Sequence, residues 1–122
     1  MTGKLIHLRG DFDPQMIRDE VVFPRVKDPT RLGHCYQLAG QRIMNERDGV
    51  LVHGTIQGPL PWHEPIGHAW VLLPFGQVWE PITDAVYTTA EFQELFRPVM
   101  IAEYYRGRAM KLMLKTRTFG PW

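Results

Sequence analysis

The chain has 122 residues, a length typical of one domain. Its hydrophobic residues (44%) and charged residues (22%) are in the proportions of a soluble globular protein, which excludes a disordered chain. The longest apolar run, residues 69–73, is too short to cross a bilayer, and a single cysteine, Cys35, permits no intramolecular disulfide. Because no apolar leader is present at the N-terminus, we expect one cytoplasmic domain over residues 1–122.

The net charge of +1 is unevenly distributed along the chain. Residues 97–122 carry six basic residues and one acidic residue (net +5), whereas residues 1–96 carry eight basic and twelve acidic residues (net −4). A basic segment can bind nucleic acid, but the aromatic residues here are not interleaved with the charges as base stacking requires. We therefore favour a solvated helix face near acidic neighbours, with nucleic-acid binding as the alternative.

In the first half of the chain, turn residues separate short predicted elements. A short strand is predicted over residues 4–8, followed by a brief helix over 13–20 that has proline at its first helical position. Residues 21–33 form an extended or turning segment. An apolar stripe at three- and four-residue steps predicts a helix over residues 34–47, ended by Asp48 and Gly49. A strand follows over residues 50–57.

The second half contains mainly strand signals. Residues 58–67 include three prolines and can only form a loop, and two strands follow over 67–73 and 77–82. Thr88 and Glu91 fit a capping box, which predicts a helix to about residue 96. A strand over 99–105 and a helix over 108–115 complete the chain, with Met110, Leu112 and Met113 as core residues. This order predicts an α+β domain with an antiparallel sheet.

Cys35 is the first candidate for chemistry, because cysteine is the most reactive nucleophile among the side chains once it is a thiolate. It follows Gly33 and His34 at the predicted start of a helix, where the helix dipole and free N–H groups favour an anion. The same N–H groups could hold an oxyanion, and Gly33 would let a substrate approach closely. A free cysteine is, however, more often a small buried core residue.

The predicted hairpin adds a histidine and a carboxylate. A three-residue loop, residues 74–76, with Gly76 in the left-handed position, predicts a type I turn with a G1 bulge and pairs Leu73 with Gln77. This register places His68 diagonally from Glu80 on one face, within reach of long side chains. Glu80 would then orient the imidazole, which would deprotonate Cys35.

These segments resemble the transglutaminase-like branch of the papain-like cysteine protease superfamily. The resemblance covers about residues 31–84 and rests on GHCYQLA (33–39), VHG (52–54), GHAWV (67–71) and VWEPI (78–82). It implies a papain-like fold in which a cysteine-bearing helix packs on an antiparallel sheet, and a catalytic triad of Cys35, His68 and Glu80. The ending FGPW (119–122) is also similar to that of small bacterial and phage proteins with this core.

The chain departs from the family pattern at three places. The third triad member is Glu80 where the family usually has aspartate, and Asp84 is the fallback for that role. Tyr36 follows the cysteine where tryptophan is frequent. No glutamine or asparagine stands a few residues before Cys35 to complete an oxyanion hole, and Gln15 lies twenty residues away.

Several further residues are candidates for lining the site. Gly33, Tyr36, Trp62, Trp70 and Trp79 are predicted substrate-binding residues, although one or both of the last two tryptophans could instead be core residues. The histidines lack the close spacing of a metal site, so we predict no metal and no cofactor.

The sequence thus predicts thiol acyl chemistry on an amide of a peptide or protein substrate, through a thioester that passes to water or to an amine. A short chain leaves little material for insertions, so an open cleft is expected. Two alternatives stay open. One is an inactive papain-like binding or structural module, marked by a Cys35 that is buried and distant from His68, and the other is the nucleic-acid-binding protein described above.

Overall fold

The computed structural model describes residues 26–57 and 64–122. The strand predicted over residues 4–8, the helix predicted over 13–20 and most of the proline-rich loop lie outside the described residues. A short 3-10 helix, Pro29–Arg31, precedes the described α-helices and strands. These are α1 (Cys35–Ile43), β1 (Val50–Ile56), β2 (Ile66–Leu73), β3 (Gln77–Glu80), β4 (Ala85–Thr88), α2 (Thr89–Phe96), β5 (Val99–Tyr105) and α3 (Arg106–Thr116).

The five strands form one open antiparallel sheet in the order β4-β3-β2-β1-β5. The predicted α+β class with an antiparallel sheet is therefore confirmed. Strand β2, which carries His68, lies at the centre of the sheet, and β4 and β5 form its edges. A register shift between His53 and Gly54 interrupts the pairing of β1 with β5, so Ile101 is an extra residue in the edge strand.

The sheet is covered on both faces, and successive strand residues contribute to different core clusters. Ala39 and Ile43 of α1 and Ala109 of α3 pack with residues such as Val71 on one face. Phe92 and Phe96 of α2 belong to the other cluster, with residues that include Val52, Trp70 and Val78. Cys35, the first residue of α1, belongs to the α2-side cluster, and Tyr36 packs against both clusters. The first turn of α1 is therefore the point where the two cores meet.

Helix α1 begins where expected but is shorter than predicted. Gly33 has φ of 80°, a conformation that favours glycine, and the first helical hydrogen bond runs from Leu38 N to His34 O. The helix ends at Ile43 rather than at residue 47, because consecutive tight turns lead the chain back to β1. Gly49 is required there, since a Cβ at this position would lie 2.9 Å from that of Glu46.

The β2–β3 hairpin has the predicted register, with Leu73 opposite Gln77. The predicted turn type is wrong, because Phe75 (φ 64°) as well as Gly76 (φ 71°) is left-handed. Strand β3 ends at Glu80 rather than at Ile82. Strand β4 was not predicted; the positive φ of Asp84 (51°), which aspartate tolerates, reverses the chain so that Val86 pairs with Trp79.

The C-terminal elements follow their local signals. The capping box of α2 is present, with Thr88 Oγ1 accepting from Glu91 N and Glu91 Oε1 accepting from Thr88 N. Strand β5 has the predicted bounds, and α3 starts two residues earlier than predicted. The predicted core role of Met110 and Leu112 is wrong, because Met110 is exposed and only Met113 packs against the core. Within the described residues, no helix has the length and apolar character needed to cross a bilayer.

Candidate active site

The β2–β3 hairpin brings a histidine and a glutamate into contact. His68 Nε2 lies 2.7 Å from Glu80 Oε2, and both side chains are completely buried. The predicted register explains the contact, because the two residues project from the same face of neighbouring strands. The ring of Trp70 stacks on His68 with 6.2 Å between centroids. The imidazole is thus held from its edge and from its face.

The carboxylate of Glu80 is satisfied by the chain that immediately follows it. Oε2 accepts from Ile82 N (3.0 Å), and Oε1 accepts from Thr83 N (2.6 Å) and Thr83 Oγ1 (2.8 Å). These bonds turn residues 81–83 inward, which ends β3 at Glu80. A buried carboxylate requires such donors, and they fix the oxygen that faces His68.

Cys35 lies near the imidazole. It is close enough for its charge and a side-chain hydrogen bond to raise the pKa of His68. Nε2 of His68 is the ring atom that faces Glu80. The structure therefore brings together all three predicted triad residues, in the order thiol, imidazole and carboxylate.

The neighbouring groups Cys35 and Glu80 shift the pKa of His68. Complete burial favours the neutral imidazole, but the charge and hydrogen bond of Cys35, followed by those of Glu80, raise the pKa of His68 to about 10. These interactions favour the protonated imidazole. A protonated imidazole between a sulfur and a carboxylate is the arrangement of an activated cysteine nucleophile.

The site is more enclosed than the sequence predicts. Cys35 is 2% exposed, and His68 and Glu80 are 0% exposed, so the expected open cleft is not observed around these side chains. The mark of an inactive module is met only in part, because Cys35 is buried but is close enough to His68 to interact with it. A cavity of about 270 Å³ opens beside the first turn of α1. It is lined by Asp28, Thr30, Arg31, His34, Gln37 and Leu38.

Two predicted residues lie away from the triad. The Asp84 carboxylate accepts from Trp79 Nε1 (2.9 Å) and lies 3.8 Å from Arg31, so Glu80 rather than this fallback residue contacts His68. Trp79 is buried in the α1-side cluster, with the guanidinium of Arg42 4.8 Å from its ring centroid. It is therefore a core residue on the face of β3 opposite Glu80.

The remaining predicted substrate-binding residues differ in their positions. Gly33 and Tyr36 flank the first turn of α1 and are partly exposed. Trp70 is buried against His68 and Phe92, so it supports the imidazole rather than forming a surface wall. Trp62 lies outside the described residues.

An aromatic cluster next to the site was not predicted from the sequence. His53, a strand residue as expected, is buried, and neither of its ring nitrogens has a hydrogen-bond partner among residues 26–57 and 64–122. Burial lowers its pKa to about 4. The rings of Tyr36, Tyr104 and Trp122 surround it, with centroids 5.0 to 5.2 Å away. The apolar-polar pattern of β1 indicated only that His53 belongs to the sheet, because its partners come from distant elements.

The basic residues of the C-terminal segment lie at the surface. Five of these six residues are exposed, and Arg106 is partly buried. The exposed residues are Arg97, Arg108, Lys111, Lys115 and Arg117. Within the described part of the chain, none of them pairs with an acidic side chain, so the expected acidic neighbours are not seen. The same part contains no group of three or more histidine, cysteine or acidic residues arranged to hold a metal ion.

Comparisons of the chain with models of known protein families, with curated proteins and with solved structures find no match. The arrangement of Cys35, His68 and Glu80 is therefore the feature of this protein that indicates a function.

Proposed function

We propose that this protein is a thiol hydrolase or acyltransferase that acts on an amide of a peptide or protein, with a papain-like, transglutaminase-like arrangement of its site. The observation that carries the proposal is the hydrogen bond between His68 and Glu80, together with the interaction of Cys35 with the same imidazole. Cys35 is the nucleophile, His68 is the base and then the acid, and Glu80 orients His68 and stabilises its charge.

The electrostatics of the site support a cycle of proton transfer. In the resting state, the charge and hydrogen bond of Cys35 and then those of Glu80 favour the protonated form of His68. When Cys35 becomes acylated, its negative charge is lost, and one of the causes that raise the pKa of His68 disappears. The imidazolium then gives its proton to the leaving amine more readily, which is what the acid step requires.

The pH dependence of Cys35 alkylation by iodoacetamide tests this proposal. An ordinary thiol, with a pKa of about 8.5, loses reactivity roughly tenfold per pH unit below that value, because only the thiolate reacts. We expect the reactivity of the wild type to persist further below pH 8.5 than that of His68→Ala, which should show the steep dependence of an ordinary thiol. His34→Ala, which removes an exposed histidine next to the cysteine, is the matched control and should behave like the wild type.

The burial of Cys35 favours a second candidate, an inactive module that uses the same core for binding or structure. This candidate predicts that native protein resists iodoacetamide at every pH and that the thiol reacts only after unfolding in urea. That result would contradict the enzyme proposal, whereas His68-dependent reactivity of native protein would eliminate the inactive module.

A further inference from the structure

Acyl transfer from an amide places a negative charge on the carbonyl oxygen, and enzymes normally supply two or more hydrogen-bond donors for it. The first turn of α1 provides the backbone N–H of Cys35, since the first helical hydrogen bond is that of Leu38 N. No glutamine or asparagine is present among residues 26–34 to provide a side-chain donor. A side-chain donor would therefore come from outside residues 26–34.

We propose that the hydroxyl of Tyr36 is this second donor, which makes Tyr36 a further catalytic residue; the proposal rests on the proposed function. Tyr36 follows Cys35 directly. A Cβ built on Gly67 would lie 3.0 Å from the Tyr36 hydroxyl, and Gly67 immediately precedes His68. Because side chains alternate along β2, the hydroxyl lies against the strand that carries His68 but on the face opposite the imidazole, at an exposed glycine that leaves room for a substrate.

The hydroxyl of Tyr36 is available to donate. It forms no hydrogen bond with the described residues, in contrast to the Tyr87 hydroxyl, which lies 3.0 Å from Thr83 Oγ1. Burial and, to a lesser degree, the charge of Cys35 raise the pKa of Tyr36 to about 12. The phenol therefore keeps its proton at neutral pH, and an oxyanion is a better acceptor than any group it now faces.

The Tyr36 ring is held in place by the aromatic cluster. The rings of Tyr36 and His53 pack edge to face, with 5.0 Å between their centroids and an interplanar angle of 82°. Trp122 also packs against His53, with 5.0 Å between ring centroids. Gly120 lies so close that a Cβ there would be 2.5 Å from His53 Cε1. Because the ring cannot move freely, its donor needs little reorganisation during the reaction, which is the property that makes such donors effective.

In the acylation step, Cys35 Sγ forms a bond to the carbonyl carbon, and the C=O π electrons move onto the oxygen. Tyr36 donates a hydrogen bond to that oxygen and keeps its proton. The electrons then return to re-form the C=O bond, the C–N bond breaks, and His68 protonates the departing amine. In the second step, His68 takes a proton from water, and the water oxygen forms a bond to the carbonyl carbon of the thioester. The C–S bond then breaks, which releases the carboxylic acid and the Cys35 thiolate.

Tyr36→Phe separates this role from thiolate activation. Alkylation by iodoacetamide needs the thiolate but forms no oxyanion, whereas acylation by p-nitrophenyl acetate needs both. We expect Tyr36→Phe to acylate on the order of tenfold to a hundredfold more slowly than the wild type and to alkylate at an unchanged rate. Tyr104→Phe, which removes the same hydroxyl group from another ring of the cluster, is the matched control and should change neither rate.

Each outcome is decisive once thermal unfolding shows that both variants are folded. If Tyr36→Phe acylates like the wild type, Tyr36 is not an oxyanion donor. If it loses alkylation and acylation equally, Tyr36 acts on the thiolate and the inference is overturned while the proposed function stands. If wild-type Cys35 reacts with neither reagent, the proposed function fails and this inference falls with it.

Discussion

Glu80 Oε2 lies 2.7 Å from His68 Nε2, and the same carboxylate accepts three more hydrogen bonds from Ile82 and Thr83. One side chain therefore orients the imidazole and also ends strand β3. This double role means that changes at Glu80 affect both the fold and the reactivity of Cys35.

Replacing Glu80 with glutamine should destabilise the protein. An amide NH₂ cannot accept the bonds that the carboxylate accepts, and the protonated imidazole loses its counter-charge in a buried site. We expect Glu80→Gln to lower the free energy of unfolding by about 2–4 kcal/mol, measured by urea titration. Asp84→Asn is the control, since the Asp84 side chain is 57% exposed, and it should lose less than about 1 kcal/mol. Equal losses in the two variants would contradict a special role for Glu80.

The raised pKa of His68 should make stability depend on alkaline pH. Between the ordinary value of 6.5 and about 10, the folded state binds a proton that the unfolded state releases. The resulting stabilisation is complete below about pH 6.5 and is lost as the pH rises through 10. His68→Gln removes this titration, so its stability should fall less than that of the wild type between pH 6.5 and pH 9.5. Parallel curves for the two proteins in urea unfolding would be inconsistent with the raised pKa of His68.

His53 should produce the opposite dependence in acid. Its pKa is lowered to about 4 by burial, so from pH 6.5 down to pH 4 the unfolded state takes up a proton that the folded state does not. Stability should therefore decrease over this interval, by an amount on the order of 2 kcal/mol after allowance for solvent screening. His53→Leu places an apolar side chain among the three aromatic rings and removes the titration of the imidazole. Subtracting its pH profile from that of the wild type should isolate this loss, and a flat difference would refute the assignment.

Gly54 and Gly107 form a matched pair for testing the β1–β5 junction. A Cβ at Gly54 would clash with the carbonyl oxygen of Val99 and lie 2.9 Å from Trp70 Cη2, whereas a Cβ at Gly107 would have nothing within 4 Å. We expect Gly54→Ala to lower the free energy of unfolding by about 1–3 kcal/mol, because backbone and a core ring must both shift. Gly107→Ala lies in a helix and should raise it by about 0.5–1 kcal/mol. Thermal unfolding of both variants measures these changes. A similar loss in both would indicate a general effect of replacing glycine rather than crowding at Gly54.

Local signals in the sequence account for a large part of the fold. Alternating and β-branched residues define β1 and β5, the Thr88–Glu91 capping box starts α2, and helix-forming residues predict α3. The three-residue loop between β2 and β3 sets the register that brings His68 and Glu80 together, even though its turn type differs from the predicted one. These features depend on residues close together in the chain, where propensity and hydrogen-bonding geometry act directly.

Tertiary contacts decide the remaining features. The end of α1 and strand β4 depend on where the chain must return to the sheet, so neither has a strong local signal. The burial of Cys35 arises because the first turn of α1 lies where the two core clusters meet. The cluster that positions Tyr36 brings His53 of β1 against Trp122 at the C-terminus. Such contacts depend on the packing of whole elements against one another, which no local pattern of residues encodes.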